Sequence, residues 1–230
     1  MKREISKGKC FLCGKIYSKK EMTNHLKTCL IKRGFIETPV SQKPCLFHLI
    51  IEGHHLYDYW LHILIPFNST LADLDSFIRN IWVECCGHLS LFRIMDFEFF
   101  SDGMDIEPSE EHKELYMDIQ VGKILSTGLE FIYLYDFGST THLSLKVISS
   151  LNYKEKIKKI KLIARNEMPS KTCCICGAKA TLVCPYCIDL NKGYFCKKCA
   201  EKHECEGGYE NFLPVVNSPR EGVCGYTGQD

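Results

Sequence analysis

Residues 45–66 read CLFHLIIEGHHLYDYWLHILIP, and the fold is decided there. Residues 45–51 and 57–65 are dense in β-branched and aromatic side chains, while Gly53, His54 and His55 between them have the composition of a turn, so the stretch predicts a β-hairpin. Pro66, which has no N–H to give a ladder, ends the second strand. Just beyond, Ser69 and Thr70 offer a cap and Asp73 and Asp75 early acids, and Leu71, Leu74, Phe77, Ile78, Ile81 and Trp82 recur at helical intervals as far as Gly87. Residues 89–100 predict another strand, 102–114 an acidic, mobile stretch, and 123–126 a short helical turn. Two further strands, 129–137 and 142–150, are joined by Gly138 to Thr141. The order ββαβ followed by ββ predicts an α+β domain over 37–152, a mixed sheet covered by one main helix and close to a β-grasp arrangement.

The wording of three segments carries a resemblance. LADL at 71–74, WVECCGHLSLF at 82–92 and YLYDFGSTT at 133–141 resemble the plasmid pRiA4b orf-three-like family, over residues 44–150. The resemblance implies a fold and an association with mobile elements, and it implies no mechanism. Many members carry a Trp and then a His shortly after Asp-Phe-Gly. Here Thr140 and Thr141 precede His142, so no role of that family His is carried onto His142. Glu84 with His88, and Asp136, are the candidates for general acid–base work. A His beside Gly87 and an Asp opening a hairpin turn are equally ordinary structural features, and no catalytic residue is assigned. Cys45, Cys85 and Cys86 read as small core or near-surface residues, and His54 and His55 as turn residues.

Outward from this domain the chain becomes cysteine-rich. Of 15 cysteines, three (Cys10, Cys13 and Cys29) lie near one end and nine lie from Cys173 to Cys224. An odd count, clustering into CxxC pairs and no signal-like apolar segment point to thiolates holding metal in a cytoplasmic protein. The longest apolar runs, such as 61–67, are far short of the roughly 20 residues a membrane span needs.

Cys10 and Cys13 form a CxxC knuckle, and His25 and Cys29 are spaced i,i+4, which places them on one face of a helix. The four predict one tetrahedral zinc site in a module over 1–36. Tyr17 and Met22 would supply its minimal core. The segment 9–30 is similar to ββα zinc fingers, in the CCHC form, with one residue fewer between Tyr17 and Met22. If such a helix entered a nucleic-acid groove, Ser18, Glu21 and Asn24 would face the bases and Lys15, Lys19, Lys20 and Lys27 the phosphates.

Residues 153–170 form a basic linker whose stretch 153–165 alternates basic and apolar side chains, and which reads as a final strand, a solvated connector or edge strand, or a basic helix contacting a partner. Beyond them, 171–230 contains Cys173, Cys176, Cys184, Cys187, Cys196, Cys199, His203 and Cys205, enough donors for two closed tetrahedral sites. The spacing is similar to the cross-braced HIT and MYND fingers. That resemblance implies one zinc on Cys173, Cys176, Cys196 and Cys199, and another on Cys184, Cys187, His203 and Cys205, with Cys224 as the alternative to Cys205. Cys174 is the spare thiol of its pair, and the apolar tail after Leu213 should pack back on the body. Three zinc ions per chain are expected.

A net charge of +1 conceals segregation: 10 basic against 2 acidic residues in 1–36, 6 against 17 in 37–150, and 13 against 9 in 151–230. A basic end suits phosphates or an acidic protein, whereas the acidic middle would repel nucleic acid. The sequence thus points to a zinc-binding, non-enzymatic adaptor, contacting protein or nucleic acid through its N-terminal finger and without a membrane role. A metal-assisted hydrolase or nucleic-acid-processing enzyme is the alternative, and zinc storage or sensing a third. It leaves the oligomeric state open.

Overall fold

A computed structural model of the chain describes residues 5–39, 41–101, 114–188 and 192–228. The acidic stretch expected over 102–114 therefore lies, up to residue 113, outside the described residues. Two compact units emerge: Met1–Ile78 with Leu89–Glu167, and Arg79–His88 with Met168–Asp230. Among the described residues no helix is long and apolar enough to cross a membrane.

The first unit is built on an 11-stranded mixed sheet. Its elements are β1 (Lys7–Cys10), β2 (Ile16–Ser18), α1 (Lys19–Ile31), β3 (Ile36–Glu37), β4 (Leu46–Gly53), β5 (Leu56–Pro66), α2 (Leu71–Ile78), β6 (Ser90–Ile94), β7 (Phe97–Phe100), β8 (Glu114–Tyr116), β9 (Glu130–Tyr135), β10 (Thr141–Asn152) and β11 (Lys161–Asn166). The strands run in the order β2-β1-β11-β5-β4-β10-β9-β6-β7-β8, with β3 on β10. Pairing is antiparallel except where β7 meets β8. The expected hairpin is β4–β5, turning at His54 and at His55, whose φ is 61°.

Both strands of this hairpin are buried almost without alternation, the mark of a sheet covered on both faces. On one face Leu46, Trp60, Leu64, Leu151 and Ile163 share a core with Met22, Leu26 and Leu30 of α1. On the other lie Leu49, Ile51 and Leu61, with Ile51 paired through Leu145 of β10 to Phe131 of β9, two residues before Tyr133. There the buried Asp75 of α2 accepts hydrogen bonds from the Tyr133 hydroxyl at 2.7 Å and from Ser90 Oγ at 2.6 Å. A bulge between Val147 and Ser149 moves the end of β10 to the α1 side, so that Leu151 pairs with Leu46 and joins that core.

Three details differ from the sequence reading. Residues 89–100 form a hairpin, β6–β7, and not one strand, because Met95 adopts φ 52° and turns the chain. The predicted helix is α-helical only through Ile78 and continues as a π-helical turn, Arg79–Val83. Residues 161–166 are neither connector nor edge: β11 lies between β1 and β5. The first strand of the finger is thereby an interior part of the large sheet.

The β1–β11 junction is tight. A Cβ on Gly8 would lie 2.3 Å from the Arg165 carbonyl oxygen and 2.5 Å from the Trp60 ring. Gly8→Val should therefore destabilise the first unit by about 1–3 kcal/mol or more, the range for overpacking a filled site. Urea unfolding followed by tryptophan fluorescence will measure it; an unchanged midpoint would contradict the close packing.

The second unit contains β12 (Leu182–Val183), β13 (Tyr194–Phe195), α3 (Lys197–Ala200) and β14 (Leu213–Pro214), with the strands ordered β13-β12-β14. Among the described residues its compact apolar cluster has Cys184, Phe195 and Ala200 as fully buried members. The tail does fold back. Leu213 pairs with Val183, and the buried Glu221 accepts from the Tyr194 hydroxyl and the Val216 N–H, both at 2.7 Å.

Candidate metal centres

The finger donors are positioned by local chain geometry. After Cys10 the chain turns through Gly14 at φ 78°, closed by Gly14 N–H to the Cys10 carbonyl at 2.7 Å and Cys10 N–H to the Lys15 carbonyl at 2.9 Å. Helix α1 starts on a full capping box in which Ser18 and Glu21 cap each other. The same helix carries His25 and Cys29 one turn apart, and Tyr17 stacks on the His25 ring at 4.3 Å between centroids. Met22 is buried as expected, but its core is the sheet's as well as the finger's. Ser18 and Glu21, expected to face a groove, are occupied by the cap, and Lys19 forms an ion pair with Glu52.

Cys10, Cys13, His25 and Cys29 bring four donor atoms within 4.8 Å of one another. Cys13 Sγ lies 3.2 Å from His25 Nε2. Arg33 reaches from the end of α1 to Cys29 Sγ at 3.5 Å and to the Leu12 carbonyl, bracing helix against knuckle.

The C-terminal donors converge in the interleaved pairing that the resemblance to cross-braced fingers implied. Cys173, Cys176, Cys196 and Cys199 form one set, and Cys184, Cys187, His203 and Cys205 the other, each within 4.8 Å. Representative separations are 3.7 Å for Cys176–Cys196, 3.6 Å for Cys184–Cys205 and 3.4 Å for Cys187 Sγ to His203 Nε2. Cys205, not Cys224, accompanies His203. Cys174 stands aside, its thiol donating to the Lys192 carbonyl at 3.1 Å. All the cysteines are free, with no disulfide among them.

The proton affinities fit cation sites. In each set one thiol is held down. At Cys13, Cys173 and Cys205 burial acts upward but is outweighed by backbone N–H groups, those of Lys15, of Cys176, Cys196 and Ile175, and of Gly207 and Gly208, with neighbouring thiols adding to the effect. Cys173 falls to about 6. Others are pushed up. Burial raises Cys10 and Cys187 to about 11, and hydrogen bonds that the Cys199 thiol donates to Cys196 and Cys176 raise it to about 12. His25 is lowered, by burial first and then by Lys15 and Arg33, which favours the neutral imidazole a metal requires. A thiol held down beside thiols pushed up makes a donor set that sheds protons when a dication enters.

The acid–base candidates of the middle are engaged otherwise. Glu84 receives Arg79 at 2.7 Å and the Gly87 N–H at 2.6 Å, and Asp136 accepts from the Gly138 N–H at 3.0 Å at the hairpin turn. Among the described residues four Cys/His groups could hold metal ions. The fourth, Cys85, Cys86, His88 and Cys224, was missed in sequence. Its one signal there was the compact Cys-Cys-Gly-His run, and its last donor lies 136 residues further on.

No protein-family model and no curated protein matches the chain. Among solved structures, a protein of unknown function from Methanosarcina mazei Go1 is similar with a TM-score of 0.46 and 19% identity, over 52% of this chain and 68% of that one.

Proposed function

We propose that this chain is a zinc-binding, non-enzymatic adaptor in which three closed sites shape rigid surfaces, and that the N-terminal finger is the face that meets nucleic acid or an acidic protein. The observation that carries it is donor completeness. Each of the three expected sets supplies four sulfur or nitrogen donors from the protein, which is the composition of structural zinc sites and leaves no position for a reacting water. The hydrolase reading requires such an open position. The fold and mobile-element association implied by the resemblance of residues 44–150 to the plasmid pRiA4b orf-three-like family belong to the same proposal.

With Ser18, Glu21 and Lys19 committed elsewhere, the outward stripe of α1 is Lys20, Asn24 and Lys27, all exposed, flanked by exposed Lys15 and Lys32. These are phosphate-type contacts and carry little sequence reading. The expected result is a gel shift with mixed DNA or RNA that weakens as salt rises, and a Lys20→Glu/Lys27→Glu chain with unchanged zinc content whose salt slope is smaller by about 1 per lost contact. No shift at low salt would remove nucleic acid and leave the acidic-protein partner.

A further inference from the structure

The three expected sets leave one cluster of metal-ligating side chains unused, and all of it lies in the second unit. Residues 79–88 belong to that unit with the C-terminal segment, although the chain on either side of them, up to Ile78 and from Leu89, belongs to the first. What the tail holds there is a short, highly shaped turn. After the π-helical turn, Arg79 ties the segment to itself, with Nη1 on Glu84 at 2.7 Å and Nη2 on the His88 carbonyl at 2.6 Å, while the Glu84 carboxylate accepts the Gly87 N–H. Gly87 sits at φ 71°, a conformation that favours glycine, and it lets Cys85, Cys86 and His88 point to one side of a four-residue loop.

The tail is shaped to meet that loop. Ser218 Oγ donates to the Trp82 carbonyl at 2.5 Å, and Arg220, buried, places Nη2 3.4 Å from Cys85 Sγ. Cys224 adopts φ 49° between Gly222 and Gly225, both also at positive φ, and its Sγ lies 3.3 Å from His88 Nε2. The donor atoms of Cys85, Cys86, His88 and Cys224 all lie within 4.8 Å of one another.

We infer that Cys85, Cys86, His88 and Cys224 form a fourth metal site, taking one tetrahedral thiophilic dication, zinc, that clips the C-terminal tail to the turn at 79–88. The chemistry favours this over a chance meeting of thiols. Three sulfurs and one imidazole match the donor set of closed zinc sites. Three thiolates and one Zn2+ leave a net charge of −1, and the Arg220 guanidinium at Cys85 is the compensating, hydrogen-bonding cation around the site. The site also differs from the other three, since none of its ligands is buried, whereas each of the others contains at least one buried cysteine. It should therefore exchange its metal first.

The test is metal counting on the full chain. Wild-type protein purified without chelators should carry four zinc equivalents, and Cys86→Ala/Cys224→Ala should carry three, with Cys45→Ala/Cys174→Ala still at four. His88→Cys keeps four donors and should retain four zincs, whereas His88→Ala should drop to three, which separates ligation from a folding defect. A sub-stoichiometric chelator should remove one equivalent in a fast phase that Cys86→Ala/Cys224→Ala lacks. Equal counts in wild type and the double variant would overturn the site, as would a fast phase that survives its removal. Failure of the adaptor reading looks different: one equivalent in wild type and none in the double variant would uphold this site and remove the other three.

Discussion

Stripping zinc from the full chain is expected to unfold residues 168–228 while the large sheet survives. The segment 168–228 has little regular structure of its own to hold it. Its compact apolar cluster has Cys184, Phe195 and Ala200 fully buried, with Ala180, Val183 and Tyr226 buried besides; its three strands are each two residues long, and its longest α-helix among the described residues spans Lys197–Ala200. Structural zinc contributes on the order of 10–16 kcal/mol of apparent binding energy per site in small fingers, more than the whole stability of many domains. Without the cation, thiols held near 11 and 12 at Cys187 and Cys199 keep their protons and no longer join the knuckles. The first unit rests on Trp60, Leu64, Ile163 and their neighbours, and α1 keeps Met22, Leu26 and Leu30 against them, so losing the finger metal loosens the knuckle without releasing the helix. Hydrogen exchange resolved by segment reads this directly: protection lost over 168–228 and kept over 46–66 and 141–166. Metal removed with protection intact over 168–228 would favour zinc storage or sensing, and loss everywhere would refute the independence of the two units.

Mild acid is expected to cost the first unit about 4 kcal/mol by pH 5 through one imidazole pair, about 2 kcal/mol per ring, before any carboxylate chemistry intervenes. His48 and His62 are buried in the interior of the β4–β5 hairpin, with His48 Nε2 and His62 Nδ1 2.9 Å apart. One ring must donate and the other accept, so the accepting ring must be neutral. Burial lowers His48 to about 3, and burial followed by the charge of His48 lowers His62 well below the ordinary value. Folded-state values below the unfolded value of about 6.5 mean that the unfolded chain binds more protons as pH falls. The contribution is therefore complete above about 6.5 and is lost on the way down toward 3, at up to about 1.4 kcal/mol per pH unit for each ring. His48→Leu/His62→Leu removes this slope while preserving an apolar filling. Denaturant midpoints at pH 7 and pH 5, compared between wild type and the double variant, decide it: parallel behaviour would show that the pair is not what titrates.

How much of this was legible in the residues divides along distance in the chain. The three expected donor sets each span at most 27 residues; CxxC and i,i+4 spacings limit which atoms can converge, and the resemblance to cross-braced fingers implied how the C-terminal pairs interleave. The β4–β5 hairpin and the α2 periodicity are legible for the same local reason. Even the two-faced burial of the sheet was latent in the apolar runs at 46–51 and 59–66, interrupted by His48 and His62 alone, since a strand with one wet face alternates.

The primary structure, then, specifies the ligands and the elements, because spacing and side-chain chemistry act over a few residues. Three-dimensional packing alone decides that β1 enters the sheet beside β11, that a bulge turns Leu151 toward α1, and that Cys224 meets Cys85, Cys86 and His88. Ladder hydrogen bonds are made by backbone groups common to every residue, so partner choice over long separations is settled by which arrangement buries both faces, a collective quantity that no short stretch of chain contains.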